Sequence, residues 1–158
     1  MPRRSTRHVG APLILVVLLV CAAAALAAKP KKGYIYDTNS QTAKVGVYFK
    51  VSKNGKRVID LSPGTPIKCP KSVGGVGGLP GATIPGSAAI TKQGTFKTKL
   101  TLFDPGGHKK GGTETVTGKF SDDHATGKVT DHFVNNSGVC KATTRSYTAI
   151  GYPPTGTG

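Results

Sequence analysis

Residues 44–51 read Lys-Val-Gly-Val-Tyr-Phe-Lys-Val, and no other segment limits the fold so sharply. Val45, Val47, Phe49 and Val51 fall on one side of an extended chain. Lys44, Gly46, Tyr48 and Lys50 fall on the other. That period of two is a strand with one dry and one wet face. Asn54-Gly55 follows, the dipeptide favoured where both turn residues need positive φ. Past residue 27 no apolar stripe of period 3.6 occurs, which excludes amphipathic helices. Further strands are expected at 34–36, 56–61, 87–91, 95–103, 113–121, 125–134 and 139–150. Turn signals separate them: a Gly/Pro-rich crossover at 62–86, Lys92-Gln93-Gly94, a loop at 104–112, Asp122-Asp123-His124, and 135–138. Residues 87–91 and 95–103 are expected to pair as one hairpin, 113–121 and 125–134 as another. Seven to eight short strands imply an all-β, antiparallel β-sandwich or partly open barrel.

The first 27 residues read as a secretory signal. Arg3, Arg4 and Arg7 precede an apolar run from Leu13 to Leu26, and Ala25-Leu26-Ala27 gives a small-x-small cleavage site. An uncleaved membrane anchor needs a longer run, of roughly 20 residues. A lipoprotein anchor on Cys21 is disfavoured because Val20 stands where a small residue belongs. The expected organisation is a signal at 1–27, a loose basic lead-in at 28–33, a folded domain at 34–150 and a fraying tail at 151–158. Secretion makes a disulfide between Cys69 and Cys140 the expected state of those two thiols.

The chain carries a net charge of +15, with 22 basic and seven acidic residues. Past the signal, all basic residues except Arg57 and Arg145 are lysine. Ammonium groups are hydrated point charges without the flat guanidinium fork that reads phosphate and base edges. The expected partner is therefore an anionic polysaccharide, a teichoic-type polymer or lipid headgroups, bound diffusely by a monomer, with no specific nucleic acid. Lys44, Tyr48, Lys50, Lys97, Lys99, Lys109 and Lys110 are the candidate binding residues; Lys119 and Lys128 are also expected to face outward. The alternatives are a structural extracellular module without a ligand, and a small hydrolase.

Several residues recur in an order that resembles a family of small secreted bacterial proteins of unknown function. They are Val47-x-Phe49-x-Val51-Ser52-x-Asn54-Gly55-Lys56, then Cys69, Ile90, Gly94 and Phe96. Val116-x-Gly118-x-Phe120, Ala125-x-Gly127, Cys140 and Tyr147 complete the pattern, which spans 34–150. The family's last aromatic is usually Trp, where this chain has Tyr147. These are core and turn positions, so the resemblance implies a fold and no site.

No catalytic set, cofactor or metal is expected. Gly75-Val76-Gly77-Gly78-Leu79-Pro80 has proline where a dinucleotide loop needs its third glycine. Gly118-Lys119-Phe120 lacks the hydroxyl residue of a P-loop. His108, His124 and His132 lie near Asp122, Asp123 and Asp131, but His132 and Asp131 point to opposite faces of one strand. Glu114 is the only glutamate, and Asp104 is its nearest candidate partner for two-carboxylate chemistry. Asp131 shares a face with Val129 and Phe133, so partial burial and a partner such as Arg145 are expected. Sugar stacking would fall to Tyr34, Tyr36 or Tyr48, because the chain has no Trp.

Overall fold

The computed structural model describes residues 28–38, 45–64, 85–103, 110–135, 138–140 and 143–155. They contain no helix. The strands are β1 (Ile35–Asp37), β2 (Gly46–Val51), β3 (Arg57–Gly64), β4 (Gly86–Ala89), β5 (Thr95–Phe103), β6 (Lys110–Ser121), β7 (His124–Asn135), β8 (Gly138–Val139) and β9 (Thr143–Tyr152). Every pairing is antiparallel, in the order β4-β3-β2-β1-β9-β7-β6-β5, with β8 paired to the end of β7. This is one sheet that curls on itself into a nearly closed barrel. The two-sheet sandwich is not formed, and the partly open barrel describes the architecture.

The gap lies between β4 and β5, which were expected to pair as a hairpin. Instead β4 pairs with β3 and β5 with β6. The Thr98 hydroxyl donates to Ser87 O at 3.2 Å across the seam. Below it, Thr91 N donates to Thr95 O at 2.8 Å in the connecting turn. Leu100 fills the space beside Gly86, where a Cβ would collide with it.

Alternation decides what fills the barrel. Val45, Val47, Phe49 and Val51 are all buried, as expected. Tyr36 stacks on Phe49 with centroids 5.1 Å apart, and Phe96 and Phe120 meet Phe49 edge-on at 5.3 and 6.1 Å. These four rings form the centre of the core, an arrangement that fills a barrel of about eight strands without a lumen. From Phe96 onward the inward positions of β5, β6, β7 and β9 form rows in strict register: Phe96, Gly118, Gly127, Tyr147; then Thr98, Val116, Val129, Arg145; then Leu100, Glu114, Asp131, Thr143. A separate apolar cluster of Leu102, Phe133 and Cys140 lies beyond the third row.

The first row explains the two glycines. Gly118 and Gly127 face each other, and a Cβ on Gly127 would strike Thr117 O and come within 2.8 Å of the Tyr147 ring. The ring lies over this notch, and its hydroxyl donates to Thr117 O at 3.0 Å.

Several local expectations change. The Asn54-Gly55 turn is wider than a two-residue hairpin. Ser52 N donates to Arg57 O at 2.9 Å, and Gly55 is in the left-handed region at φ 73° whereas Asn54 is not. Asn54 Oδ1 accepts from Lys56 N instead, at 3.0 Å. The lead-in is folded onto the barrel: Gly33 N donates to Val51 O and Lys31 N to the Tyr36 hydroxyl. The last strand is divided into β8 and β9, and Gly151 and Tyr152, expected in the tail, pair with Tyr36 and Ile35.

Candidate anion-binding wall

The outward residues of β5, β6 and β7 build one polar surface. Cross-strand register from β5 to β7 gives the rows Lys99, Thr115, Thr130 and Lys97, Thr117, Lys128. Lys119 stands between Thr95 and Thr126, and Thr113 between Thr101 and His132. Neighbouring strands are about 4.8 Å apart and alternate residues on one strand about 7 Å apart. The surface is thus a grid of ammonium and hydroxyl groups. It dips into an open groove of about 720 Å³ lined by Lys97, Lys99, Thr113, Thr115, Thr130 and His132, among others. The grid continues onto β9, where the hydroxyls of Thr130 and Thr144 are 2.9 Å apart.

The carboxylates lie elsewhere. Asp37 and Asp60 are on β1 and β3, and Asp122 and Asp123 are in the β6–β7 turn. Glu114 and Asp131 point inward, with exposures of 0% and 1%. Among the described residues, the outward wall of β5–β7 carries Lys97, Lys99, Lys119 and Lys128 and no acid. Four like charges so arranged raise a positive potential that falls off over about 8 Å at physiological salt.

The candidate residues do not all converge here. Lys97 and Lys99 are on the wall. Tyr48 and Lys50 are on β2, separated from β7 by β1 and β9. Lys50 Nζ is 3.1 Å from Asp60 Oδ2, and this contact, with lesser help from Tyr48, raises the affinity of the amine for its proton. Its charge is largely balanced by that partner. Beside it, Tyr48 faces Asp37, with Ile150 on the other side of Asp37. Lys44, Lys109, Asp104, His108 and Cys69 lie outside the described residues, and of Lys110 only the backbone is described.

No family model, curated protein or solved structure matches the chain.

Asp131 is buried, deeper than the strand alternation suggested. It accepts from the Thr143 hydroxyl at 3.4 Å. Arg145 is on β9 opposite Val129, one row from Asp131. His132 is exposed on the other face of the strand, as its parity requires. No group of three or more His, Cys, Asp or Glu side chains with metal-binding geometry occurs among the described residues. No helix among them is long and apolar enough to cross a membrane.

Sequence reasoning did not single out the threonines of the wall. Their signal was present in Thr113-x-Thr115-x-Thr117. A hydroxyl at every second position of a strand marks a hydrated face able to give and accept hydrogen bonds.

Proposed function

We infer that this is a secreted, non-catalytic domain that binds an anionic polymer through the outer wall of β5, β6 and β7. The observation that carries the reading is the segregation of charge: Lys97, Lys99, Lys119 and Lys128 share that wall with hydroxyl groups and no carboxylate. Ammonium groups attract sulfate, phosphate or carboxylate along a chain, and threonine hydroxyls hydrogen-bond its sugar or polyol oxygens. The wall has no exposed large apolar side chain to enter a bilayer, so a hydrated polysaccharide or teichoic-type polymer fits it better than lipid headgroups. Glu114 and Asp131 are enclosed by the core, which speaks against their use in hydrolysis.

A Cys69–Cys140 disulfide belongs to the same proposal. Cys140 is buried at 0%. It lies at the barrel end from which the connection carrying Cys69 leaves Gly64 and returns to Gly86.

Retention on immobilised heparin and on teichoic-type polymer across a salt series tests the reading. Strong retention at low salt should fall steeply as salt rises, and Lys97→Glu/Lys99→Glu should elute much earlier. No retention at low salt leaves a structural module with no ligand.

A further inference from the structure

A second concentration of lysines closes one end of the barrel. Three turns meet there: Ser52–Arg57 between β2 and β3, Ile90–Gly94 between β4 and β5, and the β6–β7 turn. The lead-in lies across the first two. Gly94 is packed against Ala28 so closely that a Cβ there would come 2.5 Å from Ala28 O, and the stem of Lys32 lies against Gly55. Gly94 O also accepts from Phe120 N at 2.9 Å, which fixes this turn to β6. Between lead-in and turns is a pocket of about 360 Å³. Lys29, Lys32, Lys56 and Lys92 line it, with Asn54 and Thr91 as neutral polar groups.

No carboxylate lines this pocket. At the same end of the barrel, Asp122 and Asp123 belong to the β6–β7 turn. Asp123 is engaged by His124 Nδ1 at 2.6 Å, and its carbonyl accepts from Gly151 N. Four lysines from three separate segments thus line one concavity, and their charges repel one another. A compact anion seated among them would relieve that repulsion. Cleavage after Ala27 would add the α-ammonium of Ala28 to the same rim.

We propose that the pocket formed by Lys29, Lys32, Lys56 and Lys92 binds a phosphomonoester, carried by a free sugar phosphate or by the end of a phosphorylated glycan. Lysine discriminates by charge density and lacks the planar fork that suits a carboxylate. A phosphomonoester carries a charge of about −1.5 to −2 at neutral pH, more than a carboxylate or a sulfate ester, and so gains most from four cations. The pocket lies within the size range of small-ligand sites, about 300–1,000 Å³. It is separate from the outer wall, so either site can fail without the other.

Amide chemical shifts of the secreted protein, followed during titration with glucose 6-phosphate, glucose and glucuronate, provide the test. Glucose 6-phosphate is expected to move the amides of Lys32, Gly55, Lys56, Thr91 and Gly94 and to leave Thr115 and Lys128 in place. Glucose should move none, and glucuronate should bind at least tenfold more weakly. Lys32→Glu/Lys92→Glu should lower the affinity at least tenfold with the spectrum still dispersed, while Lys97→Glu/Lys99→Glu should not change it. Tighter binding of an oligosaccharide with a terminal phosphate assigns the ligand to a polymer end, and equal binding to the free sugar phosphate. The proposal is overturned if these amides do not move, if all lysine-bearing segments move alike, or if glucuronate binds as well as glucose 6-phosphate.

Discussion

Tyr147 shows how a single side chain can set a condition on the fold. Burial pushes its phenol well above the ordinary value of 10.0, because the ionised ring would lose water and gain no cation. Burial also raises Tyr36, the largest of several causes there. A folded-state pKa above the unfolded one means that stability is fully present below pH 10 and is lost as pH rises through the folded value. Denaturant melts should therefore be level with respect to these groups up to about pH 10 and weaken beyond it. Tyr147→Phe should lose about 1 kcal/mol at neutral pH, with the hydrogen bond to Thr117 O, yet decline less in alkali. An unchanged alkaline slope would remove Tyr147 from this account. Gly127→Ala should cost about 3 kcal/mol in the same melts, because backbone and ring both obstruct the new methyl. The inward position of Asp131 was legible from its parity with Val129 and Phe133. Glu114 has the same parity with Val116 and Phe120, and the same rule places it inside. Its only reading in sequence was as a candidate catalyst, because an isolated glutamate reports chemistry more readily than burial.

At the level of elements, strands with clear alternation were legible and their closure was not. β2, β6 and β7 follow directly from period two and from the Asp122-Asp123 turn. Alternation cannot say whether consecutive strands pair, and β4 with β5 shows why. The turn at 92–94 brings the two strands together, but β4 is committed to β3 by Arg57↔Ala89 and Val58↔Ala88. The short strand and the Gly86–Leu100 contact then leave a seam rather than a ladder. A positive φ of 53° at Asp60, inside β3, marks where pairing with both neighbours shifts register. No turn dipeptide announces that irregularity. The seam should be the first part of the barrel to open. Hydrogen exchange should find the amides of β4, and those of β5 not bonded to β6, exchanging well before those of the β6–β7 ladder. Equal protection on both sides of β5 would mean that the barrel is closed.

For the molecule as a whole, the sequence established a strongly basic surface but not its division. Lysines distant in the chain meet only when two turns and the lead-in assemble, so the end pocket has no linear signature. The outer wall was partly visible, because Lys97, Lys99, Lys119 and Lys128 all fall on outward parities. Tyr48 and Lys50 share that parity yet stand on another stretch of wall, and only strand order separates them. The two barrel ends also differ in how they are held. Tight turns and the folded lead-in close one end. The other carries the small cluster of Leu102, Phe133 and Cys140, below which lie the buried polar groups of Glu114 and Asp131. A disulfide from Cys140 to Cys69 would anchor the longest connection to that cluster. By loop-closure entropy, linking residues about 70 apart stabilises by about 4 kcal/mol. Reduction, or Cys140→Ser, should therefore lower the denaturation midpoint by a corresponding amount. Early exchange should appear at Leu102 and Phe133, while the amides around Tyr36 and Phe49 keep their protection. Melts that coincide with and without reductant, together with two titratable thiols in the purified protein, would show that the far end is held by apolar packing alone.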